Sequence, residues 1–350
     1  MTMTLMSRRG VLGAGLGATL AGTIVAPTVL RAQTRSLVIA TTGGKTEEAL
    51  KKAVFEPYTK KTGIEIVTTS TVYAKVKSMV EANAIEWDVV SADAAIAASF
   101  GAQGLLERLD FGVIDKSALI PGVPRDHYIP FDVAAAVIGW STKSIKSDVA
   151  PKTWAEMWDQ QKFKGRRGLW KQPFQTLEIA LMADGVDKDK LYPLDLERAL
   201  RSLDKLKPNL YWWSTGAQST QILLDDEVPL AMGWNGRLYD PRAEGGSLDF
   251  TLNQSLFVAN AMQILKGAKN KKAAMEFIAF ALQPEQQAAY AKLIPYGPVN
   301  KNALTLLPPE RLKDVPSSDM NISKGVFQDY DWWAENGSKI TPRFNQWLLS

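Results

Sequence analysis

Apolar residues along this chain fall into short runs broken by glycine, proline or charge, and the runs alternate between two periods. Leu37-Val38-Ile39-Ala40 is a continuous apolar run that Gly43-Gly44 ends, the pattern of a buried strand over Ser36–Thr41. Ala49, Leu50, Ala53, Val54 and Tyr58 then recur at three-and-four spacing, which predicts a helix over about residues 46–61 stopped by Gly63. A strand over 64–67, a helix over about 72–83 and a short strand at Asp88-Val89-Val90 follow. This β-α-β-α-β order, with short connections, predicts a parallel sheet carrying helices on both faces.

The pattern then restarts. Residues 134–140 read as an apolar strand, and Thr153 stands where an N-cap is expected before a helix opening at Trp154. A strand over 168–170 precedes a helix over 175–183 that Gly185 stops. Leu196, Leu200, Leu203 and Leu206 mark one face of a further helix, halted by Pro208. Residues 228–233 form a strand ending on Trp234-Asn235-Gly236-Arg237, and 256–265 return to strand character. Met275, Ile278, Ala279 and Leu282 stripe one helix before Pro284 opens the next. No repeat and no low-complexity linker separates the two halves. The expected class is α/β, with two lobes joined by extended crossing strands.

Charge changes the picture at the N-terminus. Ser7-Arg8-Arg9 precedes an uncharged run from Val11 to Leu30 that holds four glycines and Pro27, and Ala32 follows. A positive start, a weakly apolar stretch and a small residue predict an export signal over residues 1–32, removed near Ala32, rather than a membrane anchor. The paired arginines resemble a twin-arginine signal, although Val11 stands where that motif usually has Phe. Of 41 basic residues three lie in this segment, which has no acid, so 38 basic face 37 acidic residues beyond it. That balance gives no global field for nucleic acid or anionic lipid.

Composition excludes several chemistries. Cysteine is absent and histidine occurs once, at His127, so thiolate catalysis, a Ser-His-Asp triad and a multi-His zinc site have no residues to build on. No cofactor or metal is expected. Gly44-Lys45-Thr46 looks like the end of a phosphate-binding loop, but the upstream glycine it needs is Ile39. Eleven tryptophans fit either core filling or flat walls for an organic ligand.

Phe55-Glu56-Pro57-Tyr58 and Lys61-Thr62-Gly63-Ile64 resemble the first helix and second strand of the extracellular solute-binding proteins of ABC importers. Pro151-Lys152-Thr153-Trp154 with Trp158 is similar to that family's entry to lobe two. Glu227-Val228-Pro229-Leu230-Ala231-Met232-Gly233-Trp234 is similar to its strand presenting a ligand-facing tryptophan. Lys266-Gly267-Ala268, Pro284-Glu285-Gln286-Gln287, Tyr296-Gly297-Pro298-Val299-Asn300, Trp332-Trp333 and Trp347 continue the likeness in order. The branch it most resembles is the spermidine/putrescine-binding one. The resemblance implies a type II periplasmic binding protein: two α/β lobes, two crossovers and a cleft between them. It implies no enzyme activity, a periplasmic location, a small-molecule solute and a membrane permease as partners, no nucleic acid, and a monomer. We divide the chain into lobe 1 (33–136 and 254–300) and lobe 2 (137–253 and 301–350).

Strand ends of an open α/β sheet are where ligands sit. Those ends supply Thr42, Gly43, Gly44 and Lys45; Asp93; Gln175 and Thr176; and Trp234, Asn235 and Arg237. Asp132 joins Asp93 as a carboxylate able to pair with a cation, though either could equally cap a helix. Trp212 and Trp213 point opposite ways on a strand, and Trp213 is favoured as a second wall. Glu178 is expected on a solvated or lobe-facing helix surface. Polyamine binders of the family carry an aromatic in the first loop, where this chain has Thr42, and an acid near the last crossover, where it has Asn260. An amide cannot give an amine the charge-assisted bond of a carboxylate. Lys45, Lys171 and Arg237 instead suit a carboxylate or phosphate. The branch this chain resembles implies a polyamine or related organic cation as the solute, and these departures give thiamine or an anionic or zwitterionic molecule as alternatives. An exported cofactor enzyme, a ferric-ion binder and a receptor-coupled sensor are the remaining readings. The first lacks a catalytic set, and the second would want adjacent tyrosines where Tyr211-Trp212-Trp213 stands.

Overall fold

The computed structural model describes residues 36–350, so the export segment expected over 1–32 lies outside the described residues. Strands β1 (Ser36–Thr41), β2 (Glu65–Ser70), β3 (Val89–Asp93) and β4 (Tyr128–Pro130) belong to a first sheet. Strands β5 (Asp132–Ser141), β6 (Arg167–Trp170), β7 (Leu210–Trp213), β8 (Leu230–Trp234) and β9 (Leu248–Val258) belong to a second. Then β10 (Asn260–Gln263) returns to the first, while β11 (Gly297–Pro298) and β12 (Val326–Phe327) join the second. The orders are β2-β1-β3-β10-β4 and β12-β9-β5-β8-β6-β7, with β11 on β5. These are the two α/β bodies that the alternating periods predicted.

The chain passes from the first sheet to the second at Phe131 and returns at Ala259. A mostly parallel sheet was expected in each body, and the structure shows which strands depart from that direction. Strand β10 runs antiparallel to both β3 and β4, and β5 antiparallel to β8, β9 and β11. The reversed strands are the ones entering from the other body, so the crossing itself sets their direction. Phe131 N donates to Asn260 O at 2.7 Å, which laces the two crossovers together. All ten residues of β5 are buried, as a central strand requires.

Local chemistry explains the elements beside the strand ends. The first helix runs Gly44–Leu50, a π-helical stretch Lys51–Phe55 and Glu56–Thr62, and ends on Gly63 at φ +72°. Thr153 caps its helix by accepting from Glu156 N, as expected. The helix Gly216–Leu224 opens on a capping box from Thr215 and Gln218. The helix Tyr330–Leu349 escapes sequence reading because Asn336-Gly337 and Pro342 interrupt it. It buries Trp333, Phe344 and Trp347, and packs on the helix Ala94–Ala102 beside the first sheet and on Leu196–Asp204 beside the second.

Candidate functional site

A cavity of about 480 Å³ lies where the strand ends of both sheets converge. From the first body, Thr42, Thr46, Tyr73, Asp93 and Asn260 line it; from the second, Trp170, Phe174, Gln175, Trp234 and Arg237 do. Tyr296 and the crossover residues Val258 and Ala259 close the floor. Six of the thirteen residues expected at the site therefore line one hollow: Thr42, Asp93, Gln175, Trp234, Arg237 and Asn260.

The aromatic wall is layered. Trp170 ends β6 beside Trp213 of β7, their rings stacked at 6.1 Å and 17°. Trp234 meets both edge-on, each at 5.2 Å. Trp213 is wholly buried and lines no part of the cavity, so it backs the wall rather than forming it. The exposed face belongs to Trp170, which sequence reasoning missed, although its place at a strand end matches that of Trp234. Trp234 is held in turn by its indole N–H, which donates to Gln175 Oε1 at 2.9 Å.

Gln175 has an unusual backbone, φ +66° and ψ −44°, and Thr176 N donates back to Phe174 O at 2.7 Å. That is a γ-turn of positive φ, a strained form that costs about 1–3 kcal/mol and needs support around it. Support comes from Phe174, whose ring packs on Trp333 at 4.5 Å, and from the Thr176 hydroxyl, which donates to Trp170 O at 2.9 Å. Thr176 is buried by this task.

Several expected site residues do structural work at the same place. Asn235 is fully buried; its side-chain oxygen accepts from Ala135 N and its NH₂ donates to Pro295 O. Asp132 is buried at the first crossover and accepts from Asn260 N, Asn260 Nδ2 and the Tyr290 hydroxyl. Asp132 and Asn260 thus pin the crossing point, and only Asn260 also reaches the cavity. Gly43 and Gly44 make the first turn with positive φ values, +71° and +63°, and Lys45 after them pairs with Asp240. Glu178, expected on a solvated or lobe-facing surface, is instead fully buried and accepts from Tyr192, Gln328 and Trp333. Lys171 is exposed and does not line the cavity.

The charges that do reach the hollow are few. Asp93 caps its helix through Oδ1, which accepts from Ala95 N at 2.8 Å, and burial pushes its carboxyl up to about 6 against the pull of the Ala95 and Ile96 N–H groups. Tyr73 is pushed up to about 12 by burial and by the neighbouring Asp93 charge. Arg237 lies on the opposite body, near Tyr296, and among the described residues no carboxylate pairs with it.

Two α/β bodies, a laced pair of crossovers and an aromatic, sparsely charged hollow between them define a type II clamshell binding protein. The family model for bacterial extracellular solute-binding proteins matches residues 53–317. The gamma-aminobutyric acid-binding protein of Pseudomonas aeruginosa is 36% identical over 327 residues, 91% of this chain and 92% of its own. A solved ABC transporter substrate-binding protein from Bradyrhizobium japonicum superposes with a TM-score of 0.86 at 36% identity, covering 90% of this chain and 99% of its own. The spermidine/putrescine-binding periplasmic protein of Escherichia coli is 27% identical over 300 residues, 81% of this chain and 84% of its own. The chain belongs to the bacterial extracellular solute-binding protein family. It is the substrate-binding component of an ABC importer, a carrier and not an enzyme.

Proposed function

We propose that the carried solute is a small zwitterion, an amine and a carboxylate separated by a short aliphatic spacer, with γ-aminobutyrate the leading candidate. The observation carrying this reading is Arg237, a guanidinium lining the hollow without a carboxylate of its own, opposite Asp93 on the other body. A carboxylate on the solute would take the Arg237 fork, and an ammonium would pair with the Asp93 carboxylate. Trp170, Trp234, Tyr73 and Phe174 would cover the methylenes between them. The solute named for the Pseudomonas aeruginosa relative has this chemistry. A polyamine is disfavoured: its two ammonium groups would meet Asp93 but also the Arg237 charge, and the Asn260 amide is spent on Asp132.

On this reading the site comprises Thr42, Asp93, Gln175, Trp234, Arg237 and Asn260 from the sequence expectation, with Trp170, Tyr73, Phe174 and Tyr296 added. The division into lobe 1 (33–136 and 254–300) and lobe 2 (137–253 and 301–350), twin-arginine export to the periplasm with removal of residues 1–32, and action as a monomer belong to the same proposal. Calorimetric titration with γ-aminobutyrate, longer ω-amino acids, putrescine, spermidine and thiamine tests it. Zwitterions should bind, and Arg237→Ala should weaken them about ten- to hundredfold, the loss expected for one hydrogen bond to a charged group. Tight binding of putrescine, undiminished in that variant, would overturn the assignment.

A further inference from the structure

The only ion pair of the described residues that joins a helix after a first-sheet strand to a helix after a second-sheet strand is Lys45–Asp240. Lys45 is the second residue of the helix Gly44–Leu50 that follows β1, between Thr42 and Thr46, both of which line the cavity. Asp240 lies one helical turn beyond Arg237, which lines the facing wall. The pair therefore spans the mouth of the hollow from one body to the other. Both side chains are part-exposed, at 42% and 27%, so neither depends on the other for burial. Each would be hydrated if the bodies moved apart, and the bond exists only when they meet.

From this geometry we infer that Lys45 and Asp240 form an electrostatic clasp that sets how long the cleft stays shut on its solute. The inference rests on the reading of the cleft as the solute site. A pair of this exposure contributes little to global stability. Its place matters because it adds only to the closed state, and an interaction present in one of two states shifts their ratio by its full worth. Lys45 is then a closure residue rather than a ligand contact, and Asp240 keeps it from competing with Arg237 for the solute's carboxylate.

Stopped-flow tryptophan fluorescence on the purified protein reads release of γ-aminobutyrate, or of whichever titrated solute binds. Lys45→Ala and Asp240→Asn should each speed release about two- to fivefold at low salt, the range of an exposed pair. The difference should fade at high salt as screening shortens. The charge swap, Lys45→Asp with Asp240→Lys, should restore slow release. A swap no slower than the single variants, or an Asp240→Asn protein that keeps its solute as long as the parent, would overturn the clasp. A second measurement needs no solute. The chain lacks cysteine, so spin labels at Lys52→Cys and Glu244→Cys, both exposed, report the separation of the bodies. Asp240→Asn should shift that distance distribution toward longer values; an unshifted distribution counts against the clasp even if no solute is found. Failure of every solute to bind the parent protein would instead sink the proposed function.

Discussion

Asp93 combines two tasks on one carboxyl group. Oδ1 accepts from Ala95 N and caps the helix that follows, and the same residue lines the cavity. The sequence expectation weighed capping against ligand binding, and the strand-to-helix junction lets one side chain do both. Because burial raises this group to about 6, proton and ammonium compete for it near neutrality. Affinity for an amine-bearing solute should therefore climb as pH rises through about 6 and level above about 7. Asp93→Asn should flatten that dependence and lower affinity; titrations across the range that keep the parent's slope would remove Asp93 from the ammonium site. Folding responds with the opposite sign. Asp132 is also raised to about 6 by burial, so the folded protein holds both protons more tightly than the unfolded chain does. The stability these groups contribute is full below about 4 and declines as pH rises toward about 6. Residue types at strand ends were legible here, since Asp93, Gln175, Trp234 and Arg237 all reach the hollow. Which neighbour turns inward was not, because that depends on strand register and on partners far along the chain. Asn235 shows this, spending its amide on Ala135 and Pro295.

At the scale of elements, the C-terminal helix Tyr330–Leu349 and the helix Thr176–Ala183 meet at Glu178. Its Oε1 accepts from the Tyr192 hydroxyl at 2.7 Å, Gln328 Nε2 at 2.9 Å and Trp333 Nε1 at 2.6 Å. Among the described residues no cation pairs with it, and neither its Oε2 nor Gln328 Oε1 has a hydrogen-bond partner. Burial raises the Glu178 carboxyl, and a proton on Oε2 would provide the donor that these acceptors lack. The clamp matters to the cleft because the same helix begins at the Gln175 turn and Trp333 supports Phe174. Glu178→Gln should keep the three accepted bonds and replace the proton with an NH₂ group. Melting curves should then show the variant gaining on the parent as pH rises, because a raised carboxyl loses its stabilising contribution as pH climbs through its folded value. A variant less stable at every pH would mean an ionised Glu178 is needed. The sequence pointed to a surface position here because a glutamate in a helix usually is one. Three donors from residues 192, 328 and 333 reversed that preference, and no local window contains them.

For the whole molecule, the fold leaves few ways for the two bodies to move. They share two laced crossovers, the Asp132–Asn260 bonds and a C-terminal helix that packs on both. Capture of a solute at a hundredfold excess over its Kd should raise stability by about 2.7 kcal/mol, read as a higher Tm. Small-angle scattering should report a smaller radius of gyration at the same time. A higher Tm with an unchanged radius would mean the hollow fills without closure.

What the sequence determined by itself is the order and kind of the elements. Local period, caps and breakers act over a few residues, and they suffice to give two α/β units, the helix stop at Gly63 and the cap at Thr153. The family likeness spread over many weak segments added the clamshell. Only the tertiary structure decided which strands reverse, which tryptophan faces the hollow and which charge is free. Trp213 is sealed behind Trp170, Lys45 is claimed by Asp240 and Arg237 is left unclaimed, because side-chain partners are chosen by packing between distant segments rather than by neighbours in the chain.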